Sequence, residues 1–268
     1  CGNGSDDLLT IALRTFVDQG KQLAYTEPSY SLYPVLADLQ GAQRLPIALD
    51  ENFDLPDNAA ELAKDAQLFM LARPNAPTGN NFAMAKVEKL CREFKGVVWI
   101  DEAYADFAED NCLPLLEKYP NVVVSRTLSK SYSLAGLRLG IAFASKELIF
   151  EMNKVKDSYN IDMISQFIGA AAIQEQEYMK QNAEKIKATR AKLTEKLQEL
   201  NCTVLPSQAN FLFVKTPKAA EDVFTALREK GFLVRYFKLP RVSEYIRISI
   251  GLPEEMEAFT KCIAEILA

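Results

Sequence analysis

The sequence predicts an α/β protein: a mostly parallel central sheet sandwiched by helices, followed by a smaller C-terminal α+β unit. Three observations carry this. Short apolar runs alternate with segments of helical periodicity from the start of the chain to Ala144, the pattern of a parallel sheet whose crossovers are helices. Runs such as Val97-Val98-Trp99-Ile100 and Val122-Val123-Val124 are apolar at every position, as strands buried on both faces are. After Ser145 helical periodicity dominates to Leu200, and short strands interleaved with two helices follow. We therefore expect a large unit over residues 1–175 and a small one over 176–268.

Composition narrows the function classes. The 268 residues are 49% hydrophobic and 25% charged, with a net charge of −5. This is ordinary globular composition, without the basic stripe of a nucleic-acid binder. No apolar run approaches the ~18 residues of a membrane span, and no targeting motif is visible, so the expected location is cytoplasmic. The five cysteines are scattered and lack CxxC spacing, which fits reduced thiols and predicts no metal site. The chain has no histidine. Ser-His-Asp hydrolysis and His-ligated metals are thereby excluded for this chain by itself, and proton transfer falls to a tuned Lys, Asp, Glu, Tyr or Cys.

Taken in order, Gly2-Asn3-Gly4-Ser5-Asp6 opens a helix that Ser5 or Asp6 can cap. A helix N-terminus behind a glycine turn is an anion site, although many helices open this way. The first residue already lies inside the turn, so a preceding natural segment is expected. A strand over Gln22 to Thr26 follows, then a helix opened by Pro28 and ending near Gly41, with Tyr30 able to lie against an aromatic ligand or in the core. Strands at Arg44 to Leu49 and Gln67 to Ala72 come next, the second running into the rigid loop Arg73-Pro74-Asn75-Ala76-Pro77-Thr78-Gly79. In open α/β sheets ligands bind at such strand ends. After a helix over Met84 to Phe94, Val97 to Ile100 delivers Asp101 at the carboxyl end of a buried strand, where it reads equally as a helix cap or as the partner of a buried cation.

Val122 to Ser125 then leads into Thr127-Leu128-Ser129-Lys130, and Arg138 precedes the strand Leu139 to Ala144. A lysine in a turn between two buried strands is desolvated, which lowers its pKa and frees a nucleophilic amine. Thr127, Ser129 and Arg138 together offer hydroxyls and a guanidinium to a dianionic phosphate. Lysine beside a phosphate cradle suggests a Schiff base with pyridoxal phosphate. Beyond the break at Tyr159-Asn160 and a charge-rich helix over Glu175 to Glu199, strands are expected at Cys202 to Leu205, Phe211 to Val214, Phe232 to Tyr236 and Tyr245 to Ile250. Helices are expected over Ala219 to Lys230 and Glu254 to Leu267. Arg247, flanked by Ile246 and Ile248, either grips an anion or faces solvent.

Together these segments, with Asp101-Glu102-Ala103-Tyr104, Ala135-Gly136-Leu137-Arg138-Leu139-Gly140 and Ile246-Arg247-Ile248-Ser249-Ile250-Gly251, resemble the pyridoxal-phosphate-dependent aminotransferases of fold type I. Within that fold they are most similar to the histidinol-phosphate aminotransferase family. The resemblance implies that Lys130 carries the cofactor and moves the substrate proton, Asp101 pairs with the pyridine nitrogen and Tyr104 bonds the phenolate oxygen. It implies that Tyr30 stacks on the ring and that Gly4, Ser5, Asp6, Thr127, Ser129 and Arg138 hold the phosphate. Arg247 matches a carboxylate-binding position, and Arg235, Tyr159 and Asn160 match positions near the substrate phosphate or side chain. The implied reaction converts histidinol phosphate and 2-oxoglutarate to imidazole-acetol phosphate and glutamate in a homodimer. Decarboxylation of threonine phosphate, transamination of aromatic amino acids, and a non-catalytic module of the same fold are the alternatives. Two departures stand out. The family's asparagine before Pro-Thr-Gly is replaced by Ala76, with Asn75 one place earlier, and the family carries a further N-terminal segment, so a shortened form that keeps the cofactor lysine while losing activity is expected.

Overall fold

The computed structural model describes all of residues 1–268. The first half of the chain comprises β1 (Gly2–Asn3), α1 (Ser5–Phe16), β2 (Gln22–Glu27), α2 (Leu32–Gln40), β3 (Gln43–Ala48), a single-turn α3 (Ala59–Leu62), β4 (Ala66–Ala72), α4 (Met84–Glu93), β5 (Val97–Asp101), β6 (Val122–Thr127) and β7 (Leu139–Ala144). Its strands form one seven-stranded sheet in the order β1-β7-β6-β5-β4-β2-β3. The β2–β3, β2–β4, β4–β5 and β5–β6 pairs are parallel, whereas β7 runs antiparallel to both β6 and β1. The direction reverses at β7 because the connection from β6 contains only a short 3-10 turn, Ala135–Leu137, too little for the crossover that a parallel pair needs.

Unbroken apolar runs become strands buried on both faces. Phe69, Leu71, Val98, Ile100, Val122 and Val124 enter one core with Val87 and Leu90 of α4. Their neighbours Leu68, Met70, Trp99 and Val123 enter another with Leu9 and Leu13 of α1 and Tyr33 and Leu36 of α2. Each strand residue thus meets the face opposite to the next one.

The helices α5 (Lys146–Val155), α6 (Met163–Gln174) and α7 (Gln176–Glu199) lead to β8 (Thr203–Val204), β9 (Phe211–Lys215), α8 (Ala220–Glu229), β10 (Arg235–Tyr236), β11 (Tyr245–Ser249) and α9 (Pro253–Leu267). These strands form an antiparallel sheet ordered β10-β11-β9-β8. Leu212, Val214, Ile246 and Ile248 pack on Leu193 and Leu197 of α7, Val223 and Leu227 of α8 and Phe259 and Ile263 of α9. The alternate residues point the other way: Phe213 joins the core of the first sheet, and Phe211 packs with Ala76 and Tyr104. One face of the small sheet therefore closes over the carboxyl ends of the large one.

Three local expectations change. The helix expected from Pro28 begins at Leu32, because Pro28 and Ser29 are tied to Asn75 by hydrogen bonds of 3.0 and 2.9 Å. The N-cap of α1 is Gly4, at φ +84°, so Ser5 and Asp6 lie inside the first turn. The strand expected over Phe232 to Tyr236 shrinks to β10, since Phe232 N–H bonds the Leu227 carbonyl at the end of α8 and its ring enters the small core.

Candidate active site

The parallel strands place their carboxyl ends on one side of the sheet, and the candidate site lies there, as expected for an open α/β sheet. Asp101 ends β5, beside Ala72 of β4 and Ser125 of β6. Its carboxylate accepts from the Tyr33 hydroxyl at 3.4 Å, and from the Ser125 hydroxyl and the Ala103 N–H at 3.3 Å each. The last bond is a local turn and not a helix cap: the next helical turn, Ala105–Phe107, is capped at Tyr104 with no side-chain bond. No lysine or arginine pairs with Asp101, and burial, only partly offset by the three donors, pushes its pKa up to about 6.

Lys130 lies in the turn after β6. Its Nζ stands 5.5 Å from the centre of the Tyr104 ring, and its pKa is lowered, first by burial and then by the Arg247 guanidinium, against the opposing pull of Asp6 and Asp101. Tyr104 is turned edge-on to Phe211, with 5.1 Å between ring centres, and burial raises the pKa of its phenol. The amine and the acid thus face one space from adjacent strands, with Tyr104 beside the amine.

A cradle for an anion lies at the start of α1. The Arg138 guanidinium reaches over this turn: a Cβ on Gly4 would sit 2.5 Å from Arg138 Nη2. Only glycine leaves that room, and its φ of +84° is one that other residues avoid. The cradle stays close to the sheet because Gly140 pairs with Gly2, and a Cβ on Gly140 would meet the backbone of Gly4 and Ser5 at 2.6 and 2.7 Å. Thr127 donates to the Ser129 hydroxyl at 3.0 Å and accepts the Ser129 N–H at 3.2 Å. Asp6 lies 3.6 Å from Arg138 and accepts from the Tyr30 hydroxyl at 3.0 Å. The exposed N–H groups of the first turn of α1 complete the cradle.

These features fit pyridoxal phosphate. The Gly4–Arg138 cradle suits its phosphate, the unpaired Asp101 suits a protonated ring nitrogen, and Lys130 supplies an amine. Asn75 is fully buried, but its amide is committed to Pro28, Ser29 and Thr78 at 2.8 to 3.0 Å, so it braces the loop.

Of its two readings, facing solvent does not describe Arg247, which is partly buried. Its strand neighbours Ile246 and Ile248 fill the small core, and Arg247 faces away from them, 5.0 and 5.9 Å from the Phe211 and Phe237 ring centres. It points between the sheets, with Nε buried and unpaired, and burial lowers its pKa. Arg235 pairs across the strands with it and lies 5.5 Å from the Phe237 ring. Tyr159 and Asn160 are not brought to this cluster within the chain. Tyr159, at φ +58°, is 97% exposed, and Asn160 bonds the Cys1 carbonyl and Lys156. The turn after α5 carries both outward.

Sequence reasoning missed Tyr33, Ser125 and the aromatic shelf of Phe211 and Phe237. Ser125 interrupts an otherwise apolar strand and could have been found; the others read as ordinary core residues. A groove of about 820 Å3 lies elsewhere, between α7 and α9. Neither Lys130 nor Asp101 lines it.

The model of the class I and II aminotransferase family matches residues 1–263. Histidinol-phosphate aminotransferase from Synechocystis is 45% identical over 267 residues, 99% of this chain and 76% of that protein. Its counterpart from Syntrophotalea carbinolica is 44% identical over 265 residues, 98% of this chain and 76% of that one. Among solved structures, histidinol-phosphate aminotransferase from Sinorhizobium meliloti in complex with pyridoxal-5'-phosphate superposes with a TM-score of 0.93 at 24% identity, covering 99% of this chain and 76% of that one. A fold of this type, a match along nearly the whole chain and relatives above 40% identity agree: this protein belongs to the class I and II aminotransferases, in the histidinol-phosphate aminotransferase family.

Proposed function

We propose that this protein, with pyridoxal phosphate at Lys130, moves the amino group of histidinol phosphate to 2-oxoglutarate, giving imidazole-acetol phosphate and glutamate. Its family supports the reaction, and one structural observation supports the site: a desolvated amine shares a space with a buried carboxylate that has no cation of its own. The cofactor supplies an aldehyde that takes up the substrate nitrogen and a protonated ring that accepts electrons from the substrate carbon.

Lys130 would hold the cofactor covalently through Nζ. Its neutral amine would be the base that takes the proton from the nitrogen-bearing substrate carbon and holds it at Nζ. Asp101 would hold the ring nitrogen protonated, with Tyr33 and Ser125 fixing the carboxylate. Tyr104 would donate its phenolic hydrogen toward the ring oxygen, and Tyr30 would stack on the ring. Thr127, Ser129, Arg138 and the backbone N–H groups of Ser5 and Asp6 would bind the phosphate. Arg247 and Arg235 would bind the substrates, since a guanidinium fork fits carboxylate and phosphate alike.

A homodimer belongs to the same reading. Tyr159, Met163, Ile164 and Phe167 are 97, 82, 68 and 81% exposed along one segment, an apolar strip that supports a subunit contact. The two-unit division at residue 175 is supported by the two separate sheets and by the core that α7, α8 and α9 form with the small one. No helix is long and apolar enough to cross a membrane, which is compatible with the expected cytoplasmic location.

The test is spectroscopic and then kinetic. Protein loaded with pyridoxal phosphate should have a visible band that borohydride discharges and that Lys130→Ala lacks. With histidinol phosphate, histidine, phenylalanine and threonine phosphate offered at equal concentration, the first should form glutamate fastest. A colourless protein would overturn the site, and carbon dioxide release from threonine phosphate would move the reaction to the decarboxylase reading.

A further inference from the structure

The Lys130 side chain makes no hydrogen bond to the protein, so the position of its amine depends on the turn that carries it. That turn is tied to the Asp101 strand by a chain of charged contacts. Glu102, next to Asp101, has a fully buried side chain that accepts the Cys112 N–H at 2.5 Å and pairs with Arg126 Nε at 2.8 Å. Arg126 Nη1 pairs with Asp106 at 2.8 Å. Asp106 in turn accepts from the hydroxyl of Ser131, the residue after Lys130. The chain begins one residue after the acid and ends one residue after the amine.

We infer that Asp106 is a positioning residue for Lys130: through Ser131 and Arg126 it fixes the amine-bearing turn against the strand that carries Asp101. The hydroxyl matters here more than any charge. Ser131 is buried, and its bond to Asp106 ties the turn to a residue outside it, whereas the Thr127–Ser129 bonds are local and Ser133 adopts φ +56°. Arg126 holds Asp106 in place and is itself held by Glu102, so the anchor is rigid back to the sheet. A charge-assisted bond of this kind is about twice as strong as a neutral one. This inference rests on the reading of Lys130 as the reactive amine.

The test uses protein freed of cofactor, so it does not depend on turnover. The pH midpoint for reductive methylation of Lys130, read by mass spectrometry of its peptide, reports the environment of the amine. Charged or titratable groups facing that amine are Arg247 from β11, Asp6 from α1, Asp101 from β5, Tyr104 from the following turn and Arg138 from the turn itself. Ser131→Ala changes none of them, so any movement reports position alone. Ser131→Ala is expected to raise the midpoint toward the ordinary lysine value of 10.5, as the amine swings out to water. Capture of pyridoxal phosphate should slow about tenfold. Asp106→Ala, which also frees Arg126, should move both readouts the same way, and the double variant should do no more than Asp106→Ala alone, since the Ser131 contact is already lost there. Ser131→Ala that folds and keeps the parent midpoint would overturn the inference, as would additive effects in the double variant. If Asp106→Ala fails to fold, Ser131→Ala decides alone. A parent protein that never binds pyridoxal phosphate would instead count against the functional reading, while the midpoint comparison still stands.

Discussion

The Tyr33 hydroxyl donates to Asp101 Oδ2 at 3.4 Å, and the two are 0 and 5% exposed. A fully buried phenol beneath a carboxylate supplies a hydrogen bond but no charge. Ser125 does the same from the other side and accepts the Trp99 indole N–H at 3.0 Å. The acid is therefore oriented without being neutralised, and the protein carries an uncompensated buried group where a cationic ring would sit. Sites that bind a charged ligand commonly hold such strain in the free form.

Asp101 should make the cofactor-free protein less stable as pH rises. Folded, it keeps its proton up to about pH 6; unfolded, only to about 3.8. The folded state binds more protons between these values, so stability is highest below the lower value and falls through the window. The loss is on the order of 3 kcal/mol. Asp101→Asn keeps a carbonyl acceptor and carries no charge. It should be more stable than the parent at pH 7.5 by about 3 kcal/mol and indistinguishable at about pH 3, measured by urea unfolding at the two pH values. Lower stability at both would refute the assignment.

Gly4→Ala should separate cofactor binding from folding. The new Cβ would meet the mobile end of Arg138, 2.5 Å away, and no backbone atom is among its nearest neighbours. The guanidinium can move aside, so the cost to the fold is mainly the backbone, which at φ +84° and ψ 170° is almost confined to glycine, about 1–3 kcal/mol. The phosphate cradle loses its arginine, and pyridoxal phosphate should bind on the order of tenfold more weakly. Fluorescence titration gives the affinity and thermal unfolding the stability; unchanged affinity would remove Arg138 from the cradle.

The two arginines of the small sheet should differ in what they recognise. Arg247 is half-buried between aromatic rings with an unpaired Nε, and Arg247→Ala should raise KM for 2-oxoglutarate on the order of 100-fold, the worth of a desolvated charged pair. Arg235 is exposed and should matter less. Arg235→Ala should raise KM for histidinol phosphate more than for phenylalanine; equal losses for both donors would end its phosphate role.

How far the site could be read from sequence depended on what each residue faces. Asp101 was legible because it directly follows an unbroken apolar run, so a buried polar group at a strand end needed a reason, and Lys130 because it sits among hydroxyls in the turn between two buried strands. Arg247 stayed ambiguous: alternation says that it faces away from Ile246 and Ile248, but not that Phe211 and the large sheet lie opposite. Tyr33 looked like any apolar-face helix residue until the packing of α2 set its hydroxyl under Asp101. Two-residue strands such as β1 have no period to read, and their pairing with β7 is set by glycine contacts distant in sequence. Tyr159 points out of the single chain because the local turn, at φ +58°, and not the residue type, sets the direction of its ring.

Opposite shifts of one amine would test the electrostatics of the whole cluster. Burial is the largest cause lowering the Lys130 pKa, Arg247 is the next, and Asp101 acts against them. Arg247→Ala removes a positive charge, so the protonated amine becomes easier to form and its midpoint should rise. Asp101→Asn removes the negative charge present above about pH 6, so the midpoint should fall further below the ordinary lysine value. Both can be read in cofactor-free protein from the pH dependence of Lys130 methylation, and the double variant should return toward the parent. Raising salt should shrink these shifts only slightly, because charges inside a partly buried cluster are screened less than surface ones. Shifts in the same direction for the two variants would mean that Lys130 does not share a space with both groups.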